Sequence, residues 1–144
     1  MKLTKSHIFL LSIFFITVIP TIIVYVEHAN IELNAYFKSV ANSNEYKAIK
    51  QSGEALLFYG IAAGYIITSI LIVVKPTWKI PYLVILIGTV AVNVLYYFRI
   101  FGIPIPGTDI IIRDLTTDWR DVIIKICQQI LVIPIAILLT KTKH

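Results

Sequence analysis

The chain has little of what an enzyme active site is usually built from. A single cysteine, Cys127, excludes an internal disulfide or a redox cysteine pair. Three histidines, His7, His28 and His144, are spread along 144 residues, whereas a catalytic metal centre needs several converging ligands. There is no nucleotide-binding glycine loop and no serine–histidine order of a hydrolase. Charged residues make up only 15% of the chain against 58% apolar residues, a balance that excludes an ordinary soluble domain. The longest apolar stretches contain no carboxylate or histidine, the groups proton-coupled transport ordinarily places in the bilayer core.

What is present is long apolar runs. Four of them, at about 8–26, 55–74, 80–98 and 122–140, are each long enough to cross about 30 Å of hydrocarbon as a helix. The sequence therefore predicts an all-α integral membrane protein with four transmembrane helices forming one domain over residues 1–144. The first run is long for a signal peptide, and Val26-Glu27-His28 is a poor cleavage site, so it is expected to remain as a helix.

Charge is distributed as unevenly as polarity. Lys2, Lys5, Lys75, Lys79, Lys141 and Lys143 fall at the two termini and the short second loop, with no acidic residue among them. Glu27, Glu32, Glu45, Glu54, Asp109, Asp114, Asp118 and Asp121 all fall on the other side. The positive-inside rule then predicts a multi-pass cell-membrane protein with both termini cytoplasmic. The lysines suit an anionic lipid leaflet, and no nucleic-acid partner is expected.

Along the chain, Pro20 is expected to bend the first span and Tyr25 to sit in the outer aromatic belt. In the external loop from Glu27 to Gly53, Leu33, Tyr36, Phe37 and Val40 recur at helical spacing after a possible cap, Asn30. This predicts a short amphipathic helix lying on the membrane or on a partner, broken by Asn42-Ser43-Asn44. In the second span Gly60, Gly64 and Thr68 form a stripe of small residues suited to close helix packing, inside the bundle or with another subunit. In the third, Asn93 is the strongly polar interior residue and is expected to make an interhelical hydrogen bond. Gly102-Ile-Pro-Ile-Pro-Gly107 cannot continue a helix and predicts a turn-rich segment that folds back over the bundle or inserts against a neighbour. The fourth span enters on Thr117 or Asp118 as cap, with Trp119 at the interface. Asp121 and Lys125 share a face, so the ammonium is expected to pair with the carboxylate or to snorkel outward. Gln128 and Gln129 are adjacent, so at least one must face protein, and Pro134 is expected to bend the apolar half.

Two sets of candidate residues follow. Gly60, Gly64, Thr68, Asn93, Gln128 and Gln129 are candidates for helix packing; Tyr36, Phe37, Arg113, Asp114, Trp119 and Arg120 are candidates for docking other integral membrane subunits. His28 beside Glu27 is the one candidate metal ligand on the acidic side, weighed against an interfacial histidine with no catalytic part. No catalytic or cofactor-binding residue is predicted.

Two segments, KLTKSHIFLLSIFFITVIPTI and IPIPGTDIIIRDLTTDWRDVIIKICQQ, together with size and span number, resemble the small four-span X subunit of archaeal ammonia monooxygenase. That enzyme is a copper membrane oxidase of the particulate methane monooxygenase type. The resemblance implies an accessory subunit packed against copper-bearing partners, with no cofactor in this chain and no catalytic residue carried over. The expected function is thus a non-catalytic structural subunit of a larger membrane complex. The rivals are a free-standing small transporter or channel, with Asn93, Gln128, Gln129 and Lys125 lining a polar path, and a transient assembly factor.

Overall fold

A computed structural model describes residues 3–112 and 119–142. Four helices dominate it: α1 (Lys5–Ala41), α2 (Glu45–Val74), α3 (Lys79–Phe101) and α4 (Trp119–Lys141). All four are long and apolar enough to cross a membrane, so the chain has the architecture of a multi-pass membrane protein. Each helix packs on its two neighbours around a ring, α1 on α2 and α4, and α3 on the same pair. The α1–α2 contact is the most extensive and α2–α3 the least.

The packing separates faces sharply. Phe14, Val18, Tyr25, Tyr65, Ile72, Tyr82, Leu131, Ile135 and Leu138 form the core, while Ile16, Leu56, Phe101 and many other large apolar side chains are exposed around the outside. Such an exterior suits lipid rather than water as the surrounding medium. Two hydroxyls within the first span are satisfied locally: Thr17 Oγ1 donates to the Ile13 and Phe14 carbonyls, and Thr21 Oγ1 to that of Thr17. Pro20 and Pro134 both lie inside continuous helices.

The amphipathic helix expected in the first loop does not exist as a separate element. The 37 residues of α1 run unbroken through it. Nothing between Glu27 and Glu32 is a glycine or proline, so no local signal stops the first span. Burial then favours continuation, because Ala29 is fully enclosed and the Tyr59 hydroxyl of α2 donates to Asn30 Oδ1, which is mid-helix rather than a cap. At about 1.5 Å per residue α1 is some 55 Å long and α2 about 45 Å, against about 30 Å of hydrocarbon. The α1–α2 hairpin thus projects beyond one end of the bundle.

Its tip forms where the sequence marks it. Asn42 caps α1, Ser43 takes the left-handed conformation (φ 56°), and the Asn44 side chain accepts from the Lys47 N–H to open α2. Ser39 Oγ donates to Gln51 Oε1 at 2.6 Å and ties the two arms below the tip. At the opposite end, α2 and α3 join through a tight turn on which the buried Tyr82 donates its hydroxyl to the Pro76 carbonyl at 2.7 Å. That end also holds Lys5, Lys75, Lys79 and Lys141, and Lys141 Nζ reaches Ser6 Oγ at 2.6 Å to close α4 on α1.

After α3 the chain makes a small antiparallel hairpin, β1 (Ile103–Pro104) with β2 (Ile111–Ile112), closed by the Ile105 N–H on the Ile110 carbonyl. It turns back over the bundle, burying Ile110 and setting Pro104, Ile105 and Pro106 along the groove between α2 and α3. The turn off α3 requires glycine: Gly102 has φ 110°, and a Cβ there would lie 2.6 Å from Ile111 Cγ2. Gly102→Ala should therefore destabilise the protein by about 1–3 kcal/mol, read as a lower thermal unfolding midpoint in detergent. Gly60→Ala, where a Cβ meets nothing within 4 Å, should not.

Candidate functional site

The site is built around one amide. α4 places Gln128 at the centre of the bundle with its side chain fully buried. Its Nε2 donates to Tyr25 Oη of α1 at 2.9 Å and to Tyr65 Oη of α2 at 3.3 Å, and its Oε1 accepts from Lys125 Nζ at 3.1 Å. Lys125 Nζ also donates to Asn93 Oδ1 of α3 at 3.1 Å. Asn93 Nδ2 donates to the Thr89 carbonyl at 2.9 Å, and Thr89 Oγ1 meets Tyr65 Oη at 2.9 Å. The bonds form a closed ring through α2, α3 and α4, with α1 attached through Tyr25. All four helices thus meet in one polar layer.

The ammonium in this layer does not snorkel. Lys125 turns into the bundle and lies over the Tyr96 ring, 4.3 Å from its centroid. Of the two expectations for this side chain, pairing with Asp121 or snorkelling outward, the second gives way because Asn93, Gln128 and Tyr96 supply the acceptors and ring face that lipid cannot. Tyr25 stacks on Tyr65 at 6.4 Å between centroids, so the two phenols that receive Gln128 are themselves packed together.

Above the ring, towards the acidic end, α1 and α4 are clasped twice. His28 Nε2 lies 3.6 Å from Asp121 Oδ1, with both side chains largely buried, and Arg120 pairs with Glu27 at 3.5 Å in a more exposed position. The His28 ring also packs on Phe58 of α2. Between the clasp and the ring lies a mainly apolar cavity of about 50 Å³, lined by Leu57, Phe58, Ile61, Val92, Leu95 and Ile124 together with Tyr25, His28, Glu54, Tyr96, Asp121 and Lys125. Glu54, which the sequence places only at a span end, thereby joins the site. Among the described residues no three histidine, cysteine or acidic side chains are grouped to hold a metal ion.

The candidate residues distribute as follows. Asn93 and Gln128 join the ring, whereas Gln129 is exposed on the outer face. A Cβ at Gly60 or Gly64 would meet nothing within 4 Å, so the two glycines serve no close helix contact among the described residues, while Thr68 is buried. They line an open groove of about 630 Å³ between α2 and α3, with Gly88 on the opposite wall. Tyr36 is half-buried and Phe37 exposed on the projecting hairpin. Trp119 is exposed at the start of α4, with the Arg120 guanidinium 5.5 Å from its ring. Arg113 and Asp114, and the proposed caps Thr117 and Asp118, lie outside the described residues.

Tyr65 and Thr89 are the members that reading the sequence missed. The available signal was their depth: a phenol near the middle of an apolar run needs a partner, and Asn93, Gln128 and Gln129 are strongly polar side chains at comparable depth. Gln128→Leu should remove three bonds and destabilise the protein by about 1–3 kcal/mol. Gln129→Leu should leave the unfolding midpoint within error, and a comparable loss in both variants would contradict the ring as described.

No protein-family profile matches the chain, and neither a curated protein nor a solved structure matches it, so the site is interpreted from its own chemistry.

Proposed function

We propose that this chain is a non-catalytic accessory subunit of a larger membrane complex, docked to its partners at the acidic end. The observation carrying this reading is the projecting α1–α2 hairpin. Along α1, Leu33, Tyr36, Phe37 and Val40 lie on one stripe, with Phe37 59% and Val40 51% exposed beyond the length that hydrocarbon would cover. A water-facing hairpin seldom leaves such a stripe uncovered, and aromatic side chains of this kind anchor protein interfaces. Trp119 and Arg120, near the same end, supply a further aromatic and a charge for orientation. The partners proposed are the copper-bearing subunits of a membrane monooxygenase of the archaeal ammonia-oxidising type. The support for that choice is the resemblance of residues 2–22 and 103–129 to its small X subunit. In this reading the metal chemistry belongs to the partners, the lysine end faces the cytoplasm, and the hairpin faces out.

One observation favours a second reading, a small transporter or channel: Asn93, Lys125 and Gln128 do meet in one polar layer. Against it, the half of the bundle nearer the lysines is packed with Phe14, Val18, Ile72, Leu131, Ile135 and Leu138, each 0–1% exposed.

Affinity purification from the native membrane, followed by native mass analysis, separates the readings. Stable co-migration with large partners supports the accessory subunit, a homo-oligomer the transporter, and substoichiometric recovery a transient assembly factor. Phe37→Ala should weaken partner binding by about 2 kcal/mol or more, roughly thirtyfold in affinity, and lower partner recovery accordingly, while charge changes at Lys47 or Lys50 should have little effect. Sidedness is checked separately: cysteines placed at Asn42 and Thr108 should both react with an impermeant reagent added from outside. Labelling of only one would overturn the four-span topology.

A further inference from the structure

We infer that the groove between α2 and α3 is a lipid site, seating one acyl chain of an anionic phospholipid whose phosphate rests on the lysine-bearing turn below it. Three observations point to it. The first is open apolar space: the groove holds about 630 Å³, and a Cβ at Gly60, Gly64 or Gly88 on its walls would meet nothing within 4 Å. Two hydroxyls on its walls are already engaged, Thr68 Oγ1 with the Gly64 carbonyl at 2.7 Å and Thr89 Oγ1 with Tyr65 Oη at 2.9 Å. The space therefore suits hydrocarbon.

The second observation is charge of one sign at one end. No acidic residue occurs between Glu54 and Asp109, whereas Lys75 and Lys79 stand on the turn that joins α2 to α3. Lys75, which caps α2, follows Gly64 by about three helical turns and Thr68 by about two, so it stands below the face that lines the groove. Its Nζ lies 5.7 Å from the centroid of the Trp78 ring, a residue type favoured at headgroup level. Ammonium groups below an apolar groove match the two parts of an anionic phospholipid, a charged head and a hydrocarbon tail.

The third is length. Along the helices Gly64 stands about 16 Å from Lys75, and Gly88 about 13 Å from Lys79. A phospholipid spans half of a bilayer about 40–45 Å thick, so a chain hung from the lysines ends about 20 Å away, past both glycines. Farther along, Pro104, Ile105 and Pro106 of the β1–β2 hairpin border the groove in place of lipid. The glycines thus give width to a chain of the lysine-side leaflet. This inference does not depend on the accessory-subunit reading.

The test uses the full chain in phosphatidylcholine nanodiscs doped with phosphatidylglycerol that carries a photoreactive diazirine at the end of one acyl chain. After illumination, crosslinks mapped by peptide mass should concentrate on residues 60–68 and 84–89. Unlabelled phosphatidylglycerol should suppress them at least about tenfold more effectively than added phosphatidylcholine, and Lys75→Gln combined with Lys79→Gln should lower them by about tenfold or more. Gly64→Leu and Gly88→Leu fill the groove from opposite walls, and each should lower the crosslinks likewise; folding of every variant is checked by circular dichroism and unfolding midpoint. Lys5→Gln with Lys141→Gln, at the same end but on α1 and α4, should leave them unchanged. Crosslinks spread evenly around all four helices, equal competition by phosphatidylcholine, or crosslinks that persist in the folded Lys75 and Lys79 variant overturn the inference. So does a dimer in the nanodisc that Gly64→Leu abolishes, which would make a second copy of the chain the occupant.

Discussion

An amide and an ammonium cannot be left unpaired in hydrocarbon, and this constraint organises the whole bundle. Gln128 and Lys125 sit on successive turns of α4 where lipid offers neither donor nor acceptor, so each other helix contributes a partner: Tyr25, Tyr65, and Asn93 with Thr89. Single interhelical hydrogen bonds in membranes average only about 0.6 kcal/mol, too little to dictate a fold individually. Joined in a ring they fix the rotation of each helix, because turning any one away leaves its own polar group and its neighbour's unsatisfied. The apolar contacts below the ring are less specific, since lipid solvates those side chains equally well.

The ring also divides the molecule. On the lysine side the interior is apolar and tightly filled, and hydroxyls such as those of Thr17 and Thr21 are returned to their own helix backbones. On the acidic side, ionisable groups accumulate between helices: His28 with Asp121, Glu27 with Arg120, and Glu54 at the cavity rim. The helices there are longer than a bilayer requires, so the polar half of the bundle continues into the projecting hairpin.

The groove between α2 and α3 shows how a small-residue pattern acquires different meanings. Gly60 and Gly64 on one wall and Gly88 on the other would suit closely packed backbones, yet a Cβ at any of them would meet nothing within 4 Å. The α2–α3 contact is instead carried near the ring, by Tyr65 on Thr89, and the hairpin residues Pro104 to Pro106 lie along the groove.

Hydropathy alone determined the four spans, because the hydrogen-bonding demand of backbone in lipid admits little besides helices when apolar runs reach this length. The break at Asn42-Ser43-Asn44 and the turn at Gly102 were readable for an equally local reason: helix-terminating side chains and a backbone conformation that favours glycine. The continuity of α1 was not readable, since the helical period of Leu33 to Val40 is the same whether the helix is new or extends the span before it; burial of Ala29 and the Tyr59–Asn30 bond decided it. Nor could spacing along α4 tell which glutamine faces inward or where Lys125 points. Those choices depend on acceptors contributed by three other helices, and only the tertiary arrangement brings residues as distant in sequence as Tyr25 and Gln128 within 2.9 Å.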